Sequence, residues 1–87
     1  INFTFFSLVP FEEIFKKLNE VFCDVFDDPD IRVNDSTTAA DIDGWESLTH
    51  ITLISSVENA FDISFSMKEV VKMKNVGEMV DRIEEKI

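Results

Sequence analysis

The sequence predicts an all-α fold, a small four-helix bundle with three longer helices, one short third helix and a long loop between helices one and two. Two observations carry this. Apolar residues recur at three- and four-residue intervals in three separate stretches, and each stretch is bounded by cap or stop residues. No segment alternates with the period of two that marks a half-buried strand. The length of 87 residues bounds the rest: there is room for one compact domain, and too little chain to build a large catalytic cleft as well as a core. An apolar fraction of 45 % places the chain among folded globules rather than disordered acidic tails.

The first helix is expected from Pro10 to Phe26. Phe11, Ile14, Phe15, Leu18, Val21, Phe22 and Val25 gather on one helical face. Pro10 suits the first turn, and Glu12 and Glu13 sit where the helix dipole is positive. Asp27-Asp28-Pro29-Asp30 ends the helix, because Pro29 cannot donate a hydrogen bond and disfavours helix in the residue before it. From there to Glu46 no period is sustained, and the segment reads as a long loop pinned by Ile31, Val33, Ala39, Ala40 and Ile42. Gly44 permits a tight turn, and Asp43 or Glu46 can cap the exposed amides of the next helix.

The second helix runs from Ser47 to Phe61, with Leu48, Ile51, Ile54, Val57 and Phe61 as its stripe and Leu53 broadening it. Ser66-Met67-Lys68-Glu69 has the spacing of a capping box and opens the short third helix, with Val70 and Val71 turned inward. Asn75-Val76-Gly77-Glu78 reads as a second cap of the same type. It leads a fourth helix whose inner face is Val76, Met79, Val80, Ile83 and Ile87.

Eighteen Asp and Glu against eight Lys and Arg give a formal charge of −10. Such a field repels phosphate backbones and anionic lipid headgroups, which argues against nucleic acid and membrane surfaces, and it attracts proteins with basic patches. One cysteine, Cys23, forms no internal disulfide, so a reducing cytoplasm is the expected setting. A monomer is expected, with the apolar N-terminal segment the one feature that could drive association. Residues 1–9 form an apolar N-terminal extension without the positive region or cleavage site of a signal peptide. Two readings of it stay open, native sequence packed on the domain or sequence foreign to it. Residues 10–87 form the domain itself.

Ser47 is the informative residue, because it stands where a loop ends and a helix begins. A phosphodiester on its hydroxyl would lie beside free backbone amides at the positive end of a helix. On position alone a plain helix cap is the commoner explanation. The run Gly44-Trp45-Glu46-Ser47-Leu48-Thr49-His50-Ile51, with Leu53-Ile54 and Val57-Glu58-Asn59-Ala60-Phe61-Asp62-Ile63 behind it, resembles the attachment segment of acyl carrier proteins. The order and spacing of the helices from Pro10 onward resemble that family as well.

The resemblance implies a carrier rather than an enzyme. It implies a phosphopantetheine arm attached covalently at Ser47, loaded with acyl or related groups as thioesters for fatty-acid, polyketide or specialised-metabolite synthesis. A phosphopantetheinyl transferase and acyl-loading and acyl-processing enzymes with basic docking patches would be its partners. Trp45, Glu46, Leu48, Ile51 and Glu58 would serve partner recognition, and Ile54, Phe61, Val70, Val71 and Val80 would shelter cargo. Two departures stand out. Glu46 replaces the family's usual aspartate, and the second helix carries Thr49, Thr52, Ser55, Ser56 and Asn59 where fatty-acid carriers are often acidic.

Other readings are weaker. An unmodified acidic helical interaction module would use the same surface without loading. A hydrolase built on Ser47 and His50 lacks an orienting acid and an oxyanion site. Trp45 has two readings, a grip for partners or an anchor for the loop. Cys23 reads as a structural thiol and His50 as a partner-facing or solvated residue. The Asp27-to-Asp35 acids read as a solvated run without the spacing of a calcium loop, so no metal is expected.

Overall fold

The computed structural model describes residues 11–87, as four α-helices: α1 Phe11–Val25, α2 Ser47–Phe61, α3 Met67–Lys72 and α4 Val76–Lys86. The described residues contain no strand, only one isolated antiparallel bridge between Thr38 and Asn75, so the all-α expectation holds. The extension 1–9, Pro10 and the Phe11 side chain lie outside what is described.

Helix α1 buries Ile14, Leu18, Val21 and Phe22, spaced four, three and one residues apart, against α2 and α4. Each such side chain is worth about 1.5–3 kcal/mol of transfer free energy. The helix ends by a device that periodicity does not reveal. Asp27 adopts a left-handed conformation at φ 52°, and the Asp28 N–H reaches back to the Cys23 carbonyl at 3.0 Å. Helix α2 ends the same way, with Asp62 at φ 56° and the Ile63 N–H on the Glu58 carbonyl at 3.0 Å. Both closures are of the Schellman type, with aspartate in the place usually taken by glycine.

The loop from 27 to 46 is fastened by polar groups as much as by apolar ones. Asn19 of α1 donates from Nδ2 to the Ile31 carbonyl at 2.9 Å and accepts the Val33 N–H on Oδ1 at 2.7 Å. Ile31 and Ile42 are buried as expected, and Val33 packs partly against the core. Ala39 and Ala40 are exposed, contrary to expectation, because they belong to a single 3₁₀ turn that Asp41 holds through the Thr38 N–H at 2.9 Å. Further on, the Val76 and Gly77 N–H groups donate to the Thr37 and Asp35 carbonyls, both at 2.9 Å. The loop therefore satisfies the opening amides of α4. A Cβ on Gly77 would stand 2.7 Å from the Asp35 carbonyl oxygen, so this contact requires glycine.

The capping box of α3 is present, with the Ser66 hydroxyl accepting the Glu69 N–H and the Glu69 carboxylate accepting the Ser66 N–H at 2.9 Å. That of α4 is half present. Asn75 accepts the Glu78 N–H at 2.8 Å, but the Glu78 carboxylate reaches one residue further back, to the Lys74 N–H at 2.9 Å. Two inward assignments are corrected. Val71 is 71 % exposed, because a six-residue helix touches the core along one edge, through Val70, and continues that contact with Met73 beyond its end. Ile87 lies just past the last residue of α4 and is 47 % exposed.

Candidate functional site

The site begins with the turn that opens α2. Gly44 takes φ +88°, a conformation available to glycine at little cost, and this turn sets Trp45 inward. Trp45 meets Phe22 edge-on with centroids 5.2 Å apart, lies 6.4 Å from Phe26, and stacks on His50 at 6.0 Å. At 7 % exposure it anchors the loop. The partner-facing expectation for Trp45 is thereby corrected: a ring enclosed by α1 and His50 presents little surface to a docking protein.

The cap of α2 is made backwards from its third residue. Thr49 Oγ1 accepts the Glu46 N–H at 2.8 Å and donates to the Gly44 carbonyl. Glu46 occupies the cap position in a capping-box arrangement with Thr49, without a close side-chain hydrogen bond to the first turn, and it is exposed. Ser47 is the first helical residue. Its side chain is exposed, and among the described residues its hydroxyl has no hydrogen-bond partner. The plain cap reading of Ser47 therefore fails, since a capping serine would stand one position earlier and accept an amide of the first turn.

Beside Ser47 runs a groove between the start of α2 and the end of α3, walled by Trp45, His50, Val70, Val71 and Met73, with Lys74 at its edge. Of the residues expected to shelter cargo, Val70 and Val71 are here. Ile54 and Val80 are not; they are core residues at 5 % and 2 % exposure. Phe61 lies in a different hollow, with Glu13 and Ile87, under the Lys17 ammonium at 5.2 Å. Met73, which completes the groove wall, was missed because no helical period extends to it.

Leu48 and Ile51 are exposed at 79 % and 55 %, on the turns that carry Ser47, and Met67 and Val71 at 75 % and 71 % on α3. Glu58 is half-exposed, and its carboxylate accepts the Phe65 N–H at 2.8 Å and braces the turn between α2 and α3. His50 is half-buried and engaged at both ring nitrogens rather than freely solvated. Its Nδ1 accepts the Trp45 indole N–H at 3.0 Å and its Nε2 meets the Val70 carbonyl at 3.1 Å, so it has no lone pair to activate Ser47. Cys23 is half-buried, with its thiol 3.6 Å from the Ile31 carbonyl, a structural setting. No cluster of potential metal ligands exists among the described residues.

An exposed, unengaged hydroxyl at a helix start, beside the opening amides of α2 and facing an open groove, fits a phosphodiester-linked group. Residues 16–83 match the family model described as the phosphopantetheine attachment site. Among solved structures, the solution NMR structure of a holo acyl carrier protein from Geobacter metallireducens is similar to this chain. It has a TM-score of 0.78 and 42 % sequence identity over 83 % of each chain. No helix of the described residues is long and apolar enough to cross a membrane. The protein is thus a carrier rather than an enzyme: a phosphopantetheinyl transferase attaches its phosphopantetheine covalently, and the carrier interacts with partner enzymes. With this domain match and this structural neighbour, the chain belongs to the phosphopantetheine-attachment family, as an acyl carrier protein.

Proposed function

We propose that Ser47 is the attachment residue and that the face around it presents the loaded arm to successive enzymes. The observation that carries this reading is the position of an exposed hydroxyl at the first residue of α2, free of the capping duty that usually explains a serine there. The arm supplies a terminal thiol on which acyl or related groups are held as thioesters. The chain supplies place and surroundings. The opening amides and positive dipole end of α2 favour the phosphodiester by about 0.3–1 kcal/mol. Val70, Val71 and Met73 offer an apolar wall on which a hydrocarbon cargo would gain about 0.8 kcal/mol per buried CH₂.

Leu48 and Ile51, with Met67 and Val71 on α3, form the apolar part of the docking face, and Glu46 contributes its charge. The exposed residues further along α2 are Thr52, Ser55 and Asn59, all neutral. Basic partners would therefore be drawn by the whole-molecule charge of −10 and then seated by apolar contact. Such a face suits a carrier of a specialised pathway at least as well as one of primary fatty-acid synthesis. A reducing cytoplasm suits a thiol-bearing arm and a free Cys23.

The test is peptide mass spectrometry after incubation with coenzyme A and a broad-specificity phosphopantetheinyl transferase. The reading predicts the added phosphopantetheine on the peptide containing Ser47 alone. A modification mapped to another hydroxyl, such as Ser55 or Ser64, would refute the assignment.

A further inference from the structure

His50 joins three segments around the attachment groove: the turn before α2, α2 itself and the end of α3. Its two hydrogen bonds fix where its proton lies. An indole N–H can only donate and a carbonyl oxygen can only accept. With Trp45 Nε1 3.0 Å from Nδ1 and the Val70 oxygen 3.1 Å from Nε2, the lone pair must be on Nδ1 and the hydrogen on Nε2. The neutral ring in this one tautomer completes both bonds. Protonation places a second N–H on Nδ1, directly facing the indole N–H, and two donors then oppose each other.

The bridge holds an element with few other attachments. Helix α3 has six residues, too few to persist without tertiary support. It is seated by Val70, by Met73 just past its end, and on the side of α4 by the Glu69–Lys86 ion pair at 3.1 Å. Val70 lies in the last turn of α3, where carbonyls lack intrahelical partners, and the Lys74 N–H that would otherwise serve it is turned to Glu78. His50 fills that vacancy from another helix.

We infer that His50 is the positioning residue that seats α3 across the attachment groove, and that it does so in its neutral form, so that acid loosens the groove wall beside Ser47. Imidazole is the side chain that ordinarily changes charge between pH 5 and 8. The titratable groups lining the groove with it are Glu46 from the turn and Lys74 from the exit of α3. From α1 the bridge is backed by Phe22 and Phe26, which carry no charge. The relevance to cargo rests on the assignment of Ser47; the bridge itself does not.

The test uses the unmodified chain, so that it fails or succeeds separately from the loading reaction. Imidazole ¹⁵N shifts are expected to show a bare Nδ1 and a protonated Nε2. As pH falls, the Trp45 indole N–H resonance should move in one transition with the His50 ring, and α3 amides should lose hydrogen-exchange protection while those of α4 keep it. His50→Gln places an amide oxygen and an amide N–H where the two ring nitrogens were, and it does not titrate. This variant should keep α3 protected and remove the pH transition, whereas His50→Ala should lose protection in α3 at every pH. A hydrogen on Nδ1 at neutral pH, an indole resonance indifferent to His50 protonation, or equal α3 protection in the Gln and Ala variants would each overturn the inference.

Discussion

Helices α1 and α2 have the same length, fifteen residues each, and opposite uses of apolar surface. Helix α1 gathers Ile14, Leu18, Val21 and Phe22 into one buried stripe and turns Glu12, Glu13, Lys16, Lys17 and Glu20 to solvent. Helix α2 buries Leu53, Ile54 and Val57 from its middle onward but leaves Leu48 and Ile51 exposed in its first turns. A helix that only had to hold the fold would be one-sided, as α1 is. The apolar residues of α2 that the core does not use stand next to Ser47, and a contiguous exposed apolar surface marks a site of contact. On the proposed reading, α1 serves stability and the first turns of α2 serve recognition.

This separation can be broken most severely in α1. Phe22 is fully buried and supports Trp45, so Phe22→Ala should lower the unfolding free energy by about 3–5 kcal/mol in a denaturant titration. Gly77→Ala comes next. The new methyl would meet the Asp35 carbonyl oxygen at 2.7 Å and force apart the loop and the start of α4, at a cost of about 1–3 kcal/mol measured in the same way. Leu48→Ala, by contrast, should leave stability within about 0.5 kcal/mol, since its side chain is 79 % exposed, while slowing phosphopantetheine transfer in a steady-state assay. A large loss of stability in that variant would place Leu48 in the fold rather than on the docking face.

The smallest effect concerns Glu69, whose carboxyl is held below its usual value of 4.5 by the Ser66 N–H first and then by the Lys86 ammonium. A depressed carboxylate contributes stability that is complete above the unfolded value and is lost as pH falls through the lower folded one. The acid limb of a thermal-melt series should therefore be slightly shallower below about pH 4.5 in Glu69→Gln than in the parent. Because the group is at the surface, the difference will be small and will shrink further in high salt.

The range of the forces involved decides how much of the molecule was legible in its sequence. The limits of α2, the capping box at Ser66 and the place of Ser47 are decided within four residues of chain, and each was readable from local pattern. The left-handed closures at Asp27 and Asp62 are also local, but they use a residue whose role there is less common than that of glycine. The two hydrogen bonds from Asn19 to the loop span twelve and fourteen residues, and no periodicity announces such a brace.

The same limit explains the faces. Leu48 and Ile51 fit the helical period as well as Ile54 does, and only the position of α1 and α4 decides which of them the core accepts. Trp45 could have faced either way until the positive φ of Gly44 and the ring of Phe22 were known. The attachment segment was recognisable as a string of residues, whereas its groove, assembled from α2 and from α3 some twenty residues away, was not.

The central claim, that Ser47 carries the arm on a fold that does not need its hydroxyl, is tested most directly by intact mass on Ser47→Ala beside the parent, after incubation with coenzyme A and a transferase. A gain of one phosphopantetheine is predicted in the parent and none in the variant, with the two proteins melting together to within about 0.5 kcal/mol. A variant that is folded and still gains the full mass would contradict it.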